Sequence, residues 1–163
     1  MATMGQTLSE RWARVLDALR PDARRELLAL LEREYREELA AAERMAADAG
    51  GVRAEFLRRK LEAIAEAERK HARELREAIV ELGGAPPGPV APPPGPRPAR
   101  TFVRLLEDLE KEKRESAAYL QTIAVARRAG IEEVEALLRR IRDDEERHIR
   151  DLVDVLGRID PNA

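Results

Sequence analysis

Two stretches of the chain repeat one pattern: residues 57–82 read LRRKLEAIAEAERKHARELREAIVEL, and residues 134–159 read VEALLRRIRDDEERHIRDLVDVLGRI. Leu, Ile and Val recur in both at intervals of three and four residues, which predicts two amphipathic helices. Both apolar stripes are interrupted at matching places by a Glu and, three residues later, a His. A carboxylate on a core face loses hydration free energy unless something pairs with it, so the repeat predicts a polar site inside a helical bundle.

The helix before each member of this pair belongs to a second repeat. The apolar positions of residues 27–45 align with those of residues 105–123, and in the same alignment Glu34 falls on Glu112. Each Glu stands on the apolar stripe of its helix, so the alignment predicts that both side chains face the core. Glu38 lies on nearly the same helix face as Glu34 and stays open as the alternative.

Four inward carboxylates and two histidines together predict a site for two metal ions. The carboxylates carry four negative charges, which two divalent cations would balance. Each His follows its Glu by three residues, so both side chains lie on one helix face and can reach the same ion. The predicted ligands are Glu34, Glu68, His71, Glu112, Glu145 and His148. Glu37 and Glu115, which stand one position beside the stripe, and Glu38 are candidate additional ligands.

Helix-breaking residues occur in a few clusters, which mark the ends of the predicted helices. Elsewhere Ala, Leu, Glu and Arg dominate, and these residues favour helix. The first predicted element is a short amphipathic helix within residues 1–20, ended by Pro21-Asp22. Four long helices follow within residues 21–163. The first ends at about Asp48, the second ends at about Leu82, the third runs from Thr101 to about Ala129, and the fourth runs from Ile131 to Leu156 or Ile159. This pattern predicts an all-α four-helix bundle.

Residues 83–100, GGAPPGPVAPPPGPRPAR, hold eight of the ten prolines and cannot form a helix or a central strand. In polyproline II geometry, 18 residues span about 55 Å at about 3.1 Å each. A helix of about 30 residues is about 45 Å long. The segment is therefore long enough to be a crossover that joins two helical hairpins at opposite ends of one bundle. The alternative is a flexible tether between two units.

The composition excludes several classes of function. The chain has 163 residues, 30 of them Lys or Arg and 32 Asp or Glu, so it lacks the basic surplus of a nucleic-acid-binding protein. It contains no Cys, which removes disulfides and Cys-bound metal sites. Residues 1–20 carry charges every few positions and no apolar block, which is unlike a signal peptide or a membrane span. We expect a cytoplasmic protein with no membrane or nucleic-acid partner.

The series Glu34, Glu68-x-x-His71, Glu112 and Glu145-x-x-His148 resembles the dimetal-carboxylate pattern of the ferritin-like superfamily, over about residues 23–159. The resemblance implies a ferritin-like four-helix bundle with two iron ions. Glu68 and Glu145 would bridge the two ions. Glu34 and Glu112 would be terminal ligands, with one His on each ion.

Two branches of this superfamily, the bacterioferritins and the rubrerythrins, are each similar in part. The fourth helix resembles that of bacterioferritins, as does Tyr119, seven residues after Glu112. Glu115, three residues after Glu112, has the spacing of an additional rubrerythrin carboxylate. Arg69 occupies the place of the haem-ligating Met of bacterioferritins, so we expect no haem. Tyr119 either takes part in catalysis, through a hydrogen bond to a metal ligand or through electron transfer, or is a core aromatic.

The leading functional hypothesis is a non-haem diiron oxidoreductase. It would oxidise Fe(II) with O₂ or hydrogen peroxide as a ferroxidase, or reduce peroxide with electrons from a donor protein as rubrerythrins do. Manganese or zinc also suits a site of oxygen ligands and two nitrogens. We expect a homodimer or a small homo-oligomer. The alternative from another class is a non-catalytic helical bundle that binds a partner protein through its charged faces.

Overall fold

The computed structural model describes residues 8–85, 88 and 100–161, with side chains from residue 22 onward. Its elements are four helices: α1 (Leu8–Ala49), α2 (Glu55–Glu81), α3 (Thr101–Ala129) and α4 (Glu132–Leu156). The described residues include no strand. The predicted all-α four-helix bundle is therefore confirmed. No helix within the described ranges is both long enough and apolar enough to cross a membrane.

The N-terminal part of the chain differs from the prediction, because α1 is one helix of 42 residues. The separate short helix expected within residues 1–20 does not end at Pro21-Asp22, and the backbone continues through Pro21 as helix. A proline inside a helix removes one hydrogen bond and costs about 3 kcal/mol. The Leu, Ala and Arg residues on both sides of Pro21 favour helix, so the break that local propensity predicts does not occur.

Two tight turns make two helical hairpins, α1 with α2 and α3 with α4. At the first turn the Gly51 amide donates to the Asp48 carbonyl at 3.0 Å. At the second turn Gly130 ends α3 with a φ of 72°, a left-handed conformation that glycine adopts without strain. Across the hairpins, α1 packs against α3 and α2 packs against α4.

The connection between the hairpins joins opposite ends of the bundle. The end of α2 lies near the start of the packed part of α1, where the Arg24 guanidinium donates to the Leu82 carbonyl at 3.0 Å. The start of α3 lies at the other end, where Arg104 Nε donates to Asp48 Oδ1 at 2.6 Å. This is the connectivity predicted for the Pro-rich segment, most of which lies outside the described residues.

The apolar core has two parts, one toward each end of the bundle. One cluster includes Leu31, Leu75, Tyr119 and Leu138. The other includes Met45, Leu61, Leu105 and Leu152. On every helix, the turns between these two clusters carry buried polar side chains. The packing therefore places a polar layer halfway along the bundle, closed off by apolar side chains above and below.

Candidate metal centre

The polar layer contains two overlapping groups of ligand-type side chains. Glu38, Glu68, His71 and Glu145 form one group, and Glu68, Glu112, Glu145 and His148 form the other. Within each group, one ligand atom per residue lies within 4.8 Å of all the others, and every side chain is buried. We call them position A, which contains His71, and position B, which contains His148. Glu68 and Glu145, from α2 and α4, belong to both positions.

The two histidines face the layer through the same ring nitrogen. His71 Nδ1 lies 3.1 Å from Glu68 Oε2, 3.3 Å from Glu145 Oε1 and 3.4 Å from Glu38 Oε2. His148 Nδ1 lies 2.8 Å from Glu68 Oε1 and 3.6 Å from Glu145 Oε2. The two rings stack with their centroids 5.8 Å apart. Their similar placement follows from the sequence repeat, which sets each His one turn after a shared Glu.

Several buried atoms in this layer have no hydrogen-bond partner. They are Glu68 Oε1, both carboxylate oxygens of Glu112, Glu145 Oε1 and His148 Nδ1. Unpaired buried polar atoms are rare, because each loses its hydration without compensation. His71 Nδ1 and Glu68 Oε2 do form a hydrogen bond at 3.1 Å, but it leaves the atoms named above unsatisfied. Four carboxylates and two imidazole nitrogens that converge in this way fit two divalent cations, whose four charges would balance the four carboxylates.

The same crowding sets the protonation of the metal-free layer. Burial lowers the pKa of each imidazole, but the neighbouring carboxylates outweigh it and raise the pKa of His71 to about 12 and that of His148 to about 9. Burial, together with the charges of Glu68 and Glu145, raises the pKa of Glu38 and Glu112 well above the usual range. Protons therefore occupy the layer when metal does not.

The first helix contributes Glu38 to the layer and not Glu34. Glu34 is buried at 2% exposure, but its Oε1 accepts a hydrogen bond from Thr122 at 2.8 Å and pairs with Arg33 at 2.7 Å. It lies in neither group of converging ligand atoms. Of the six ligands predicted from the sequence, the structure brings together the five from α2, α3 and α4. It replaces the sixth with Glu38, which the sequence left open as the alternative.

The reason for this difference is the register between α1 and α3. The sequence alignment placed Glu34 on Glu112, whereas in the structure Glu38 takes the place in position A that Glu112 takes in position B. In the register that the structure adopts, Glu34 aligns with Asp108, which is also buried. Because the two registers differ by about one helical turn, both align apolar stripes. Asp108 was the signal in the sequence that could have indicated this register. With Asp108 facing inward, α3 carries two inward carboxylates one turn apart, Asp108 and Glu112, as α1 does with Glu34 and Glu38.

Tyr119 lies beside the layer with its hydroxyl donating to Glu38 Oε1. Its side chain is 1% exposed and also belongs to one of the two apolar clusters. Burial and the Glu38 charge raise the pKa of Tyr119 well above its usual value, so the phenol stays protonated. Tyr119 is thus both a core aromatic and a hydrogen-bond donor to a candidate ligand.

The candidate additional ligands Glu37 and Glu115 lie outside both groups. Glu37 is exposed, and Glu115 Oε1 lies 3.6 Å from Arg44 Nη2. Burial, more than any neighbouring charge, raises the pKa of Glu115 to about 8. A cavity of about 310 Å³ between α1 and α3 is lined by both residues and by Glu34. The cavity opens toward solvent beside the polar layer.

Sequence reasoning missed two polar groups near the layer. Asp144 accepts a hydrogen bond from His71 Nε2 at 3.2 Å, on the side of the ring away from the carboxylates. Arg44, only 5% exposed, donates from Nε to Asp108 Oδ1 at 3.0 Å. The run Asp143-Asp144-Glu145-Glu146 offered four acidic residues in a row, and the sequence pattern singled out only Glu145 among them.

The protein family described as Ferritin-like domain matches residues 28–161. This range includes α1 from residue 28 onward, the whole of α2, α3 and α4, and every residue of positions A and B. No curated protein matches the sequence.

Solved structures with the same fold include three at 22–23% sequence identity. A bacterioferritin of Desulfovibrio desulfuricans with a diiron site is 23% identical, with a TM-score of 0.70 over 85% of this chain and 82% of that chain. A ferritin-like, diiron-carboxylate protein of Bacillus anthracis is 23% identical, with a TM-score of 0.74 over 82% and 97%. A protein of Xanthomonas campestris is 22% identical, with a TM-score of 0.73 over 83% and 91%. At these identities the likeness shows the fold.

Proposed function

Because the chain belongs to the family of ferritin-like domains, we propose that it is a non-haem dimetal-carboxylate oxidoreductase whose single bundle holds two metal ions. The observation that carries this proposal is the pair of overlapping buried groups that share Glu68 and Glu145. Their orphaned oxygens and the His148 nitrogen have no hydrogen-bond partner among the described residues. A structural bundle would gain stability from apolar residues at these places, so the polar layer indicates a bound cation.

The ligand roles follow from the two positions. Glu68 and Glu145 would be shared by the two ions, Glu38 and His71 would complete position A, and Glu112 and His148 would complete position B. Ligands that are mostly oxygen, with two nitrogens, favour iron, while manganese and zinc also fit. Two iron ions would supply one electron each to O₂ or hydrogen peroxide.

The chain's own residues hold and shield this centre. The apolar clusters above and below the layer exclude bulk water from it. The Tyr119 hydroxyl orients Glu38 by donating a hydrogen bond to it, which places the phenol to pass a proton or an electron toward that carboxylate. Glu38 and Glu112, whose pKa values burial and like charge raise, hold protons in the metal-free layer and would release them when the ions bind.

Two reactions suit such a centre. In the first, Fe(II) is the substrate and O₂ or hydrogen peroxide is the oxidant. The cavity between α1 and α3 is lined by three basic and three acidic side chains, so its charge does not by itself select a cation. The second reaction, rubrerythrin-like reduction of peroxide, needs an electron-donor protein. Either reaction suits a cytoplasmic homodimer or small homo-oligomer without haem.

Stopped-flow oxidation of anaerobically loaded Fe(II) protein tests this proposal. Mixing with O₂ and, separately, with hydrogen peroxide should give oxidation at least tenfold faster than Fe(II) in buffer, and the faster reaction identifies the oxidant that the centre uses. The double variant Glu68→Gln, Glu145→Gln removes both shared ligands and is expected to abolish the acceleration. If wild type and double variant oxidise Fe(II) at the same rate, the chain is a non-catalytic helical bundle that serves as a partner-binding module.

A further inference from the structure

The two histidines differ in the hydrogen bonding of Nε2, the outer ring nitrogen, which points away from the carboxylates of positions A and B. His71 Nε2 donates to Asp144 Oδ2 at 3.2 Å, and Arg147 pairs with the other oxygen of Asp144. No hydrogen bond reaches His148 Nε2 from any residue that the structure describes. The exposure of the two side chains differs in the same sense, 1% for His71 and 8% for His148.

The sequence repeat that relates the two positions breaks at this point. In the alignment that places His71 on His148, Asp144 falls on Ala67. Asp144 precedes the shared Glu145 on α4, and Ala67 precedes the shared Glu68 on α2. The methyl group of Ala67 cannot accept a hydrogen bond, so nothing on α2 provides for His148 what Asp144 provides for His71.

A carboxylate behind a metal-bound histidine has a known physical effect. It fixes the proton on the outer nitrogen, turns the inner lone pair toward the metal and makes the imidazole a stronger ligand. Loss of such a partner typically lowers metal affinity 10- to 100-fold. The Asp144 side chain is only 15% exposed, so its carboxylate is largely enclosed behind the His71 ring.

We propose that the two metal positions are inequivalent, because Asp144 acts as a positioning residue that makes position A bind a divalent cation more tightly than position B and fill first. Position B, whose His148 has no outer partner and lies nearer to solvent, is then the position that exchanges its metal. This inference rests on the proposed dimetal centre and deepens it, since it assigns different tasks to the two ions.

Zinc titrations of single-position variants separate the two positions. Glu112→Gln removes a ligand of position B alone, and Glu38→Gln removes a ligand of position A alone. In the Glu112→Gln background, Asp144→Asn is expected to lower Zn²⁺ affinity by 10- to 100-fold in isothermal titration calorimetry. In the Glu38→Gln background the same change should alter affinity less than about threefold. Asp143→Asn, on the exposed neighbouring residue, is the matched control and should change neither.

The unmodified chain offers a second test, because it contains only two histidines. In the zinc-loaded protein, a long-range ¹H–¹⁵N spectrum should show two imidazoles bound through Nδ1. The His71 Nε2 proton, held by Asp144, is expected to exchange with water at least tenfold more slowly than that of His148. At one Zn²⁺ per chain, the His71 signals should shift before those of His148.

The outcomes separate this inference from the proposal on which it rests. Equal effects of Asp144→Asn in both backgrounds, or simultaneous shifts of both histidines, would overturn the inequivalence while leaving a centre that binds two ions. If unmodified protein binds no Zn²⁺ at either histidine, the dimetal centre itself fails and the inequivalence fails with it.

Discussion

Two Glu residues one turn apart on α1 give opposite predictions for the same substitution. Glu38 is part of position A, whereas Glu34 accepts a hydrogen bond from Thr122 and belongs to neither position. Glu38→Gln removes a charged ligand, while Glu34→Gln keeps an oxygen that can accept from Thr122. We expect Glu38→Gln to weaken metal binding at position A and Glu34→Gln to leave both positions unchanged.

The size of the effect follows from the linkage between metal binding and unfolding. A cation at 100 times its dissociation constant stabilises the folded chain by about 2.7 kcal/mol, so two filled positions give about 5 kcal/mol. In a domain of this size each kcal/mol moves Tm by about 2–4 °C, which predicts a gain of about 10–20 °C for wild type. Glu38→Gln keeps only position B, so its gain should be about half as large.

The assay is thermal unfolding followed by far-ultraviolet circular dichroism, with and without Mn²⁺, together with a count of bound metal. Glu34→Gln is the matched control, because it makes the same chemical change on the same helix. The reasoning is refuted if Glu38→Gln gains as much from metal as wild type while Glu34→Gln gains less. That result would restore the register that the sequence alone favoured.

Three further predictions concern other groups of the layer. Tyr119→Phe removes the hydroxyl that donates a hydrogen bond to Glu38 Oε1, so it should slow Fe(II) oxidation severalfold at unchanged metal content. Unchanged kinetics would show that Tyr119 serves packing only. Glu112→Gln removes a buried carboxylate whose pKa like charges raise and should increase the Tm of metal-free protein by about 2–4 °C, for about 1 kcal/mol; a lower Tm contradicts this. Metal binding displaces the proton of His71 or His148 at each position, and any proton on Glu38 or Glu112 as well, so calorimetry from pH 6 to 8 should show log affinity rising by at least about one per pH unit at each position; a flat profile refutes it.

The sign of this pH dependence follows from the raised histidine pKa values. Metal-free His71 and His148, with pKa values of about 12 and about 9, are both protonated across this pH range. A metal ion at Nδ1 must displace one proton from each ring, and this displacement becomes easier as pH rises. Affinity therefore increases with pH, and proton release can be measured by titration in buffers of different ionisation enthalpy.

The fold could be predicted from the sequence because two kinds of signal agreed. The apolar stripes fixed which faces of four helices are buried, and the Gly turns fixed where the hairpins reverse. The Pro-rich segment was predicted to connect opposite ends of the bundle because its 18 residues can span the length of a long helix. Pro21 misled the prediction because a proline disfavours the interior of a helix but does not forbid it.

The candidate site could be predicted only in part, because helical periodicity does not fix register. His71 and His148 anchor α2 and α4 without ambiguity, as the chain has no other histidine. On α1, Glu34 and Glu38 are four residues apart and share a face, so only packing against α3 distinguishes them. Asp144 is likewise one acidic residue in an acidic run, and its contact with His71 depends on how α2 and α4 pack.

The central claim, that one chain contains one complete dimetal centre, is tested most directly by an anaerobic titration of metal-free protein with Fe(II). The account predicts two equivalents bound per chain in wild type. It predicts none at comparable affinity when Glu68 and Glu145, the two ligands that both positions share, are replaced by Gln. One equivalent per chain in wild type would mean a centre shared between subunits, and none would mean a structural bundle; either result contradicts the account.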